Sequence, residues 1–202
     1  MTATRVLGLD PGTRRVGGGV IARDGTRVKH VAHGVIALGD GPLAERLVRL
    51  RLELLAVVDA HGPVAAGVEG MFFHRDAQAA AKLGHARGVA LLVCGERSLP
   101  VFEYAPARVK RTVAAYGRAE KAQVGAMVRA LLGLASVPAA DAADALAIAL
   151  THLAGSPVTP AGLPPAFAEA LTATKRGVRK RDPIAFLLRN REKAGMKSSK
   201  SR

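Results

Sequence analysis

Residues 5–22 read RVLGLDPGTRRVGGGVIA, and this stretch predicts where the sheet of the fold begins. The apolar run before Asp10 is typical of a buried β-strand, which the Asp-Pro-Gly turn then ends. Residues 16–22 predict a second strand, and residues 28–38 predict a third after the turn at Asp24-Gly25. Three strands in succession, joined by short turns, predict a hairpin-like start to the sheet.

Helical and extended segments alternate after the third strand. In the first helical segment leucines recur at steps of three and four residues, and arginines such as Arg46 fall off that stripe. This alternation predicts one α/β layer system, a mixed sheet flanked by helices. The predicted helices cover residues 42–61, 76–97, 120–132 and 141–154, and the further strands cover residues 64–69 and 101–105.

Charge divides the 202-residue chain into two parts. It carries 30 Lys and Arg against 16 Asp and Glu, a formal charge of +14 that is typical of a protein that binds a polyanion. Residues 156–202 alone hold 11 basic and three acidic side chains and open with the proline-rich SPVTPAGLPP. We predict a compact domain over residues 1–155 and a flexible, partly disordered basic arm over residues 156–202. A solubilising tail without a role is the alternative for the arm.

The composition of the chain also limits the class of protein to which it can belong. Cys94 lies in an apolar run and is predicted to be a small buried side chain, and one cysteine supports neither an internal disulfide nor a zinc cluster. No leader and no run long enough to span a bilayer is evident in the sequence. We therefore expect a cytoplasmic protein.

Four carboxylates stand where strands end or a helix begins. Asp10 and Glu69 each follow an apolar strand directly, and Asp141 and Asp144 open the last helix, which contains no Lys or Arg. If the two strands are parallel neighbours, Asp10 and Glu69 emerge at the same carboxyl edge of the sheet. Asp141 and Asp144 lie about 60° apart on their helix, hence on one side of it. Asp141 and Asp144 are therefore predicted to be buried or metal-bound and not solvated.

Simpler roles exist for three of these acids. Asp10 precedes a proline and could serve only the turn, Asp141 could be the N-cap of its helix, and Asp144 could be a first-turn acid that faces the helix dipole. Glu69 has no such role, because glutamate is depleted in strands and no turn follows that needs it. Acids that face a phosphate backbone would repel it unless a divalent cation lies between them. The sequence therefore predicts metal-dependent phosphodiester chemistry on a basic surface.

Four separated blocks resemble, in order and spacing, the signature blocks of the RuvC family of Holliday-junction endonucleases, also called crossover junction endodeoxyribonucleases. The resemblance covers about residues 4–153 and implies the RNase H-like fold, a five-stranded mixed sheet with helices on both sides. The blocks are LGLDPGTRRVGGGVI, VEGMFFHRDAQAAAKLGHARGVALL, VFEYAPARVKRTVAAYGRAEKAQVGAMVRALL and PAADAADALAIALTH.

The resemblance also implies the residues of the site. It assigns catalysis and metal binding to Asp10, Glu69, Asp141 and Asp144. Two Mg²⁺ ions per active site are expected, with Mn²⁺ as a substitute, and the expected products are nicks with 5′-phosphate and 3′-hydroxyl ends.

DNA-binding roles are expected at several further positions. The resemblance assigns them to Lys110, to Lys121 and to the loop aromatic Phe72, whose ring could stack on an unpaired base. Arg14 and Arg75 flank the strand-end acids and could meet backbone phosphates, although exposed arginines of a basic protein are usually only solvated.

A homodimer is the expected assembly, because a four-way junction has approximate two-fold symmetry and two matched cuts resolve it. The helix after Asp76 carries a stripe of small residues that packs either across that two-fold axis or inside one chain. The resemblance also implies the RuvA and RuvB branch-migration proteins as partners. The stripe consists of Ala77, Ala80, Ala81, Gly84 and Gly88.

The predicted function is the paired, symmetric, metal-dependent nicking of Holliday junctions during homologous recombination and DNA repair. One alternative is a related RNase H-like nuclease that acts on RNA, a hybrid or another branched substrate. The other is a DNA-binding protein without catalysis, for which binding would give no metal-dependent product.

Overall fold

The computed structural model describes residues 3–70, 77–114 and 117–155. In this part of the chain a five-stranded sheet has the order β3-β2-β1-β4-β5. Strands β1, β2 and β3 pair antiparallel, whereas β1, β4 and β5 pair parallel, which confirms the predicted mixed sheet. The strands are β1 (Thr4–Pro11), β2 (Arg15–Asp24), β3 (Arg27–Ala37), β4 (Ala65–Glu69) and β5 (Val101–Tyr104).

Five helices accompany the sheet in the same residues, and one of them, α3, lies where the sequence predicts none. It has only nine residues and buries Val109 and Val113 one turn apart, so the segment is too short to show a periodic stripe. Its first residue is Pro106, whose fixed φ suits the first turn of a helix. The helices are α1 (Leu43–His61), α2 (Ala77–Glu96), α3 (Pro106–Ala114), α4 (Lys121–Leu132) and α5 (Ala140–Ala154).

Apolar cores cover both faces of the sheet. Val6 of β1 belongs to the core that α3, α4 and α5 form, whereas Leu7 and Leu9 belong to the core under α1 and α2. This division follows from the alternation of side chains along a strand. Cys94 lies fully buried in the second core as predicted, and burial raises the pKa of its thiol to about 11.

Helix α1 departs in detail from the predicted pattern. Its buried residues are Leu50, Leu54 and Val58, whereas Leu43, at the first position, is 43% exposed. Arg46, which the stripe places toward solvent, is partly buried and donates a hydrogen bond from Nη2 to the carbonyl of Thr13. The carbonyls of the turn after β1 therefore draw in a side chain that periodicity alone places outside.

Within the described ranges, no helix combines the length and the apolar character needed to cross a membrane. Helix α5 ends at Ala154, and residues 156–202 lie outside the described residues. The domain boundary near Gly155 and the basic arm therefore stay predictions.

Candidate active site

Parallel pairing of β1 with β4 brings two of the acids to one edge of the sheet. Leu9 pairs with Val68, so Asp10 and Glu69 are the next residues of neighbouring strands and stand at the same carboxyl edge. The placement predicted for these two carboxylates is confirmed. Carboxyl edges of this kind are where α/β sheets hold their ligands.

Glycines in β1 and β2 let helix α5 approach the strands closely. A Cβ at Gly17 would collide with the carbonyl oxygen of Asp141, and a Cβ at Gly8 would collide with that of Ala145. Gly17 is also the residue that pairs with Asp10 across β1 and β2. The missing side chains therefore allow the helix start, with its two acids, to pack beside Asp10.

Asp141 is not the N-cap of α5, so that simpler role is wrong. The N-cap position belongs to Ala139, and Asp141 lies in the first turn. Its Oδ2 is 3.0 Å from Nε of Arg15, and its side chain is 31% exposed.

Asp144 follows one turn later on α5 and pairs with a cation from another helix. Lys121, the first residue of α4, donates a hydrogen bond from Nζ to Oδ2 of Asp144 over 3.1 Å. This contact raises the pKa of Lys121 above its ordinary value. Both acids of α5 are thus neutralised by bases that come from outside their own helix.

Mutual repulsion and burial mark Asp10 as the centre of the group. Its pKa rises from 3.8 to about 7, chiefly because the carboxyl is buried and then because Glu69 and Asp144 lie near it. Burial and Asp144 likewise raise the pKa of Glu69. The positive charge of Lys121 opposes both shifts. Carboxylates in such a position hold a site for a cation.

The two lysines assigned to DNA binding flank the acids. Lys110 lies on α3, the helix that the sequence does not predict, and its positive charge partly offsets the rise in the pKa of Glu69. Lys121 acts on Asp10 and Glu69 in the same way while it pairs with Asp144. Among the described residues the structure thus brings the four acids and these two bases into one group.

The other predicted DNA-binding residues are not in this group. Arg14 pairs with Asp40 over 2.9 Å, and both side chains are about three quarters exposed. Phe72 and Arg75 lie outside the described residues.

Arg87 of α2 is a supporting residue that the sequence analysis misses. Its Nη1 donates a hydrogen bond to the backbone carbonyl of Glu69 over 2.6 Å, and its Nη2 pairs with Glu103 of β5 over 2.5 Å. The side chain is only 9% exposed. Arg87 therefore fixes the end of β4, from which Glu69 projects. A single arginine in the apolar run ARGVALLVC was the available signal, since a buried arginine requires partners.

The donor set fits a hard divalent cation. All four acids offer carboxylate oxygens, which Mg²⁺ prefers. Asp141 and Asp144 each pair with a base, whereas the partly buried Asp10 and Glu69 repel each other. Within residues 3–70, 77–114 and 117–155, no group of three or more His, Cys, Asp or Glu side chains is already arranged so that it could hold a metal ion. Mg²⁺ does not need such a preformed group, because it keeps several waters and binds one or two carboxylates together with substrate phosphates.

Comparison with protein families identifies relatives of this chain. The family model described as crossover junction endodeoxyribonuclease RuvC matches residues 6–152. The crossover junction endodeoxyribonuclease RuvC of Sorangium cellulosum (strain So ce56) is 52% identical over 178 residues, which cover 88% of this chain and 94% of the relative. An alignment of 178 residues is longer than residues 1–155, so this similarity extends into the predicted arm.

Solved structures give the same result for the fold. T. thermophilus RuvC, in a structure described as a complex with Holliday junction substrate, matches with a TM-score of 0.70 and 38% identity over 74% of this chain and 93% of that one. The yeast mitochondrial Holliday junction resolvase Ydc2 matches with a TM-score of 0.52 and 12% identity over 73% of this chain and 78% of that one. The second likeness concerns the fold alone. Together they agree with the predicted RNase H-like architecture.

Proposed function

The chain belongs to the RuvC family of crossover junction endodeoxyribonucleases, and from this membership we propose that it resolves Holliday junctions by paired, metal-dependent nicks during homologous recombination and repair. The observation that carries the proposal is the group of four carboxylates at one sheet edge of a chain with a charge of +14. A basic protein attracts DNA, and a cation held by the acids lets a phosphate approach them. We place the reaction in the cytoplasm.

The four acids of the proposed site come from three elements of the fold, β1, β4 and α5. Asp10 and Glu69 come from neighbouring strands, whose pairing fixes their separation, and Asp141 and Asp144 come from a helix that glycines hold against those strands. These four carboxylates would hold two Mg²⁺ ions, with Mn²⁺ as a substitute, and the bound metal would supply an activated water for in-line attack on phosphorus and charge stabilisation at the departing 3′ oxygen. The protein then forms no covalent bond to DNA, and positioning and charge neutralisation supply the catalysis.

Lys110 and Lys121 are proposed to bind backbone phosphates beside the scissile one. Lys121 pairs with Asp144 and is 73% exposed at its side chain, so it can exchange this carboxylate for a phosphate without leaving solvent. Phe72, Arg75 and Arg14 remain proposed DNA contacts. Lysine binds phosphate as a point charge, so these contacts position the strand and do not read its sequence.

A two-fold homodimer would deliver the matched pair of cuts. Among the described residues, a Cβ at Gly84 or Gly88 of α2 would meet no atom within 4 Å, so packing against this part of the chain does not require glycine at either position. Ala81 of the same stripe is exposed. We propose that this face of α2 contacts a second copy, and that the RuvA and RuvB branch-migration proteins are further partners.

The proposed function is tested by incubating the protein and Mg²⁺ with a synthetic four-way junction, a duplex, a fork and an RNA–DNA hybrid. We expect symmetric cuts in the junction alone, with ends that a DNA ligase seals directly. Preferred cutting of the hybrid or the fork would favour the related RNase H-like nuclease. Tight junction binding without any product in Mg²⁺ or Mn²⁺ would favour a DNA-binding protein without catalysis.

A further inference from the structure

A second basic site lies where helix α1 begins. A cleft of about 380 Å³ is lined there by three cationic side chains, Arg14, Arg46 and Lys82, and by the carboxylate of Asp40. The cations come from the turn after β1, from α1 and from α2, so the fold and not one run of sequence brings them together. Asp40 is the one carboxylate that lines the cleft within the described residues, and its ion pair with Arg14 is exposed and therefore weak.

Arg46 lines this cleft with a guanidinium whose hydrogen-bonding capacity the described residues do not fill. Its Nη2 donates to the carbonyl of Thr13, but its Nε is buried and finds no acceptor among the residues that the structure describes. A buried donor without a partner is unfavourable. Lys82 is exposed beside the cleft and adds a further cation.

The start of α1 adds to the attraction for an anion. Its N-cap is Pro42, which makes no side-chain cap hydrogen bond, and Leu43, the first helical residue, lines the cleft. First-turn amides of an uncapped helix and the positive end of its dipole favour negative charge. Three cationic side chains and a helix start therefore act in the same direction on this volume.

The cleft is at the same edge of the sheet as the four acids but on the other face. The amide of Leu38, which follows β3, donates to the carbonyl of Arg14 over 2.8 Å, so the cleft is connected to the turn that follows Asp10. Arg46 and Lys82 belong to the helices on the α1 and α2 side, whereas Asp141 and Asp144 belong to α5 on the opposite side. A DNA strand bound at the acids would therefore lie close to the turn that bears Arg14.

We propose that this cleft binds a backbone phosphate of the junction other than the one that is cut, with Lys82, Arg14 and Arg46 as its contacts. The inference rests on the proposed function, because a junction must be the ligand. The site would hold an arm of the junction in position relative to Asp10 and would read no sequence, since its contacts are to phosphate.

Paired charge changes test the proposal in the full-length chain with Asp10→Asn, so that the junction is not cut. Lys82→Gln should weaken junction binding about two- to tenfold, as loss of one contact does, and should lower the slope of log affinity against log salt by about one. Asp40→Asn should tighten binding, because it removes the carboxylate of the cleft. Fluorescence anisotropy over a salt series measures both quantities.

Matched controls lie at the far end of the β2–β3 hairpin, where Lys29 and Asp24 pair over 3.3 Å. Lys29→Gln and Asp24→Asn make the same charge changes and should leave the affinity and its salt slope unchanged. Equal effects of Lys82→Gln and Lys29→Gln, or no effect of Asp40→Asn, would overturn the cleft as a phosphate site. If instead the parent protein binds the junction no better than duplex, the proposed function itself fails.

Discussion

The fold places Asp10 in surroundings that oppose the ionisation of its carboxyl group. Burial, Glu69 and Asp144 together raise its pKa from 3.8 to about 7. In the folded protein without metal Asp10 therefore keeps its proton up to about pH 7, whereas in the unfolded chain it loses the proton near pH 4. The stability that Asp10 contributes is thus fully present below pH 4 and is lost as the pH rises toward 7. A bound divalent cation would lower the pKa of Asp10 again, because it stabilises the ionised carboxylate.

In a chelating buffer, Asp10→Asn should stabilise the protein at pH 8 and change its stability little at pH 4. The difference at pH 8 is on the order of a few kcal/mol, because each unit of pKa shift corresponds to about 1.4 kcal/mol. Chemical denaturation of both proteins at the two pH values measures it. Added Mg²⁺ should then stabilise the parent protein more than the variant. An equal stability of the two proteins at pH 8 without metal would show that Asp10 is not held in this environment.

Helix α5 is the element on which the geometry of the site depends. Its acids lie near Asp10 only because β1 and β2 carry glycines under it, and Gly17 stands directly below the carbonyl of Asp141. The sequence shows these glycines as GGG in β2 but does not reveal which of them faces a helix. That distinction requires the register of the sheet, in which Gly17 pairs with Asp10.

Gly17→Ala should therefore displace the start of α5 and with it Asp141. We expect an unfolding free energy lower by about 1–3 kcal/mol, as overpacking gives, and cleavage slower by up to about a hundredfold, since small misplacements of reacting groups have large effects. Gly18→Ala is the matched control, because a Cβ there meets no atom of the described residues within 4 Å. If both variants denature and cleave alike, the close approach of α5 does not control the site.

The small-residue face of α2 gives a prediction about assembly. Ala81→Leu should weaken the homodimer and convert paired cuts into single nicks, because a large side chain keeps the two helices apart. Ala126→Leu in α4 is the matched control, since this alanine is also exposed on a helix. Sedimentation measures the dimer affinity. A monomeric parent protein, or an Ala81→Leu variant with unchanged dimer affinity, would remove this face from the interface.

Local pattern predicts most of the elements and the acids, and what it misses depends on tertiary contacts. Asp10 and Glu69 follow apolar strands, so their shared edge can be expected from the sequence. Arg87 cannot be assigned in this way, because its partners are a backbone carbonyl and Glu103 on another strand. Lys110 comes into place through α3, whose nine residues are too few for a periodic signal. The cleft around Arg46 joins three segments that are distant in the sequence.

At the scale of the whole molecule, positive charge is concentrated in two places with different roles. Residues 1–155 carry net +6, with 19 basic and 13 acidic side chains, whereas residues 156–202 carry net +8, with 11 basic and three acidic side chains. Each phosphate contact adds to affinity and to salt dependence without reading sequence or branch structure. We propose that the arm tethers the enzyme to DNA in general.

A chain that ends at Gly155 should bind every DNA less tightly and show a flatter plot of log affinity against log salt. Cleavage of saturating junction should stay similar, and selectivity for junction over duplex should hold or improve. Anisotropy titrations on both DNAs over a salt series measure this. An unchanged salt slope would mean that the arm does not contact DNA. A specific loss of junction selectivity would mean that the arm recognises branch structure and is more than a tether.

The central claim is that the four carboxylates hold the metal that cuts DNA, and the separation of binding from cleavage in Asp10→Asn and Glu69→Gln tests it most directly. Both substitutions remove a ligand and a negative charge that faces DNA, at nearly constant side-chain size. With saturating Mg²⁺ and a synthetic four-way junction, we predict no cleavage by either variant and junction affinity equal to or tighter than that of the parent protein. Cleavage by either variant at close to the parental rate would contradict the assignment.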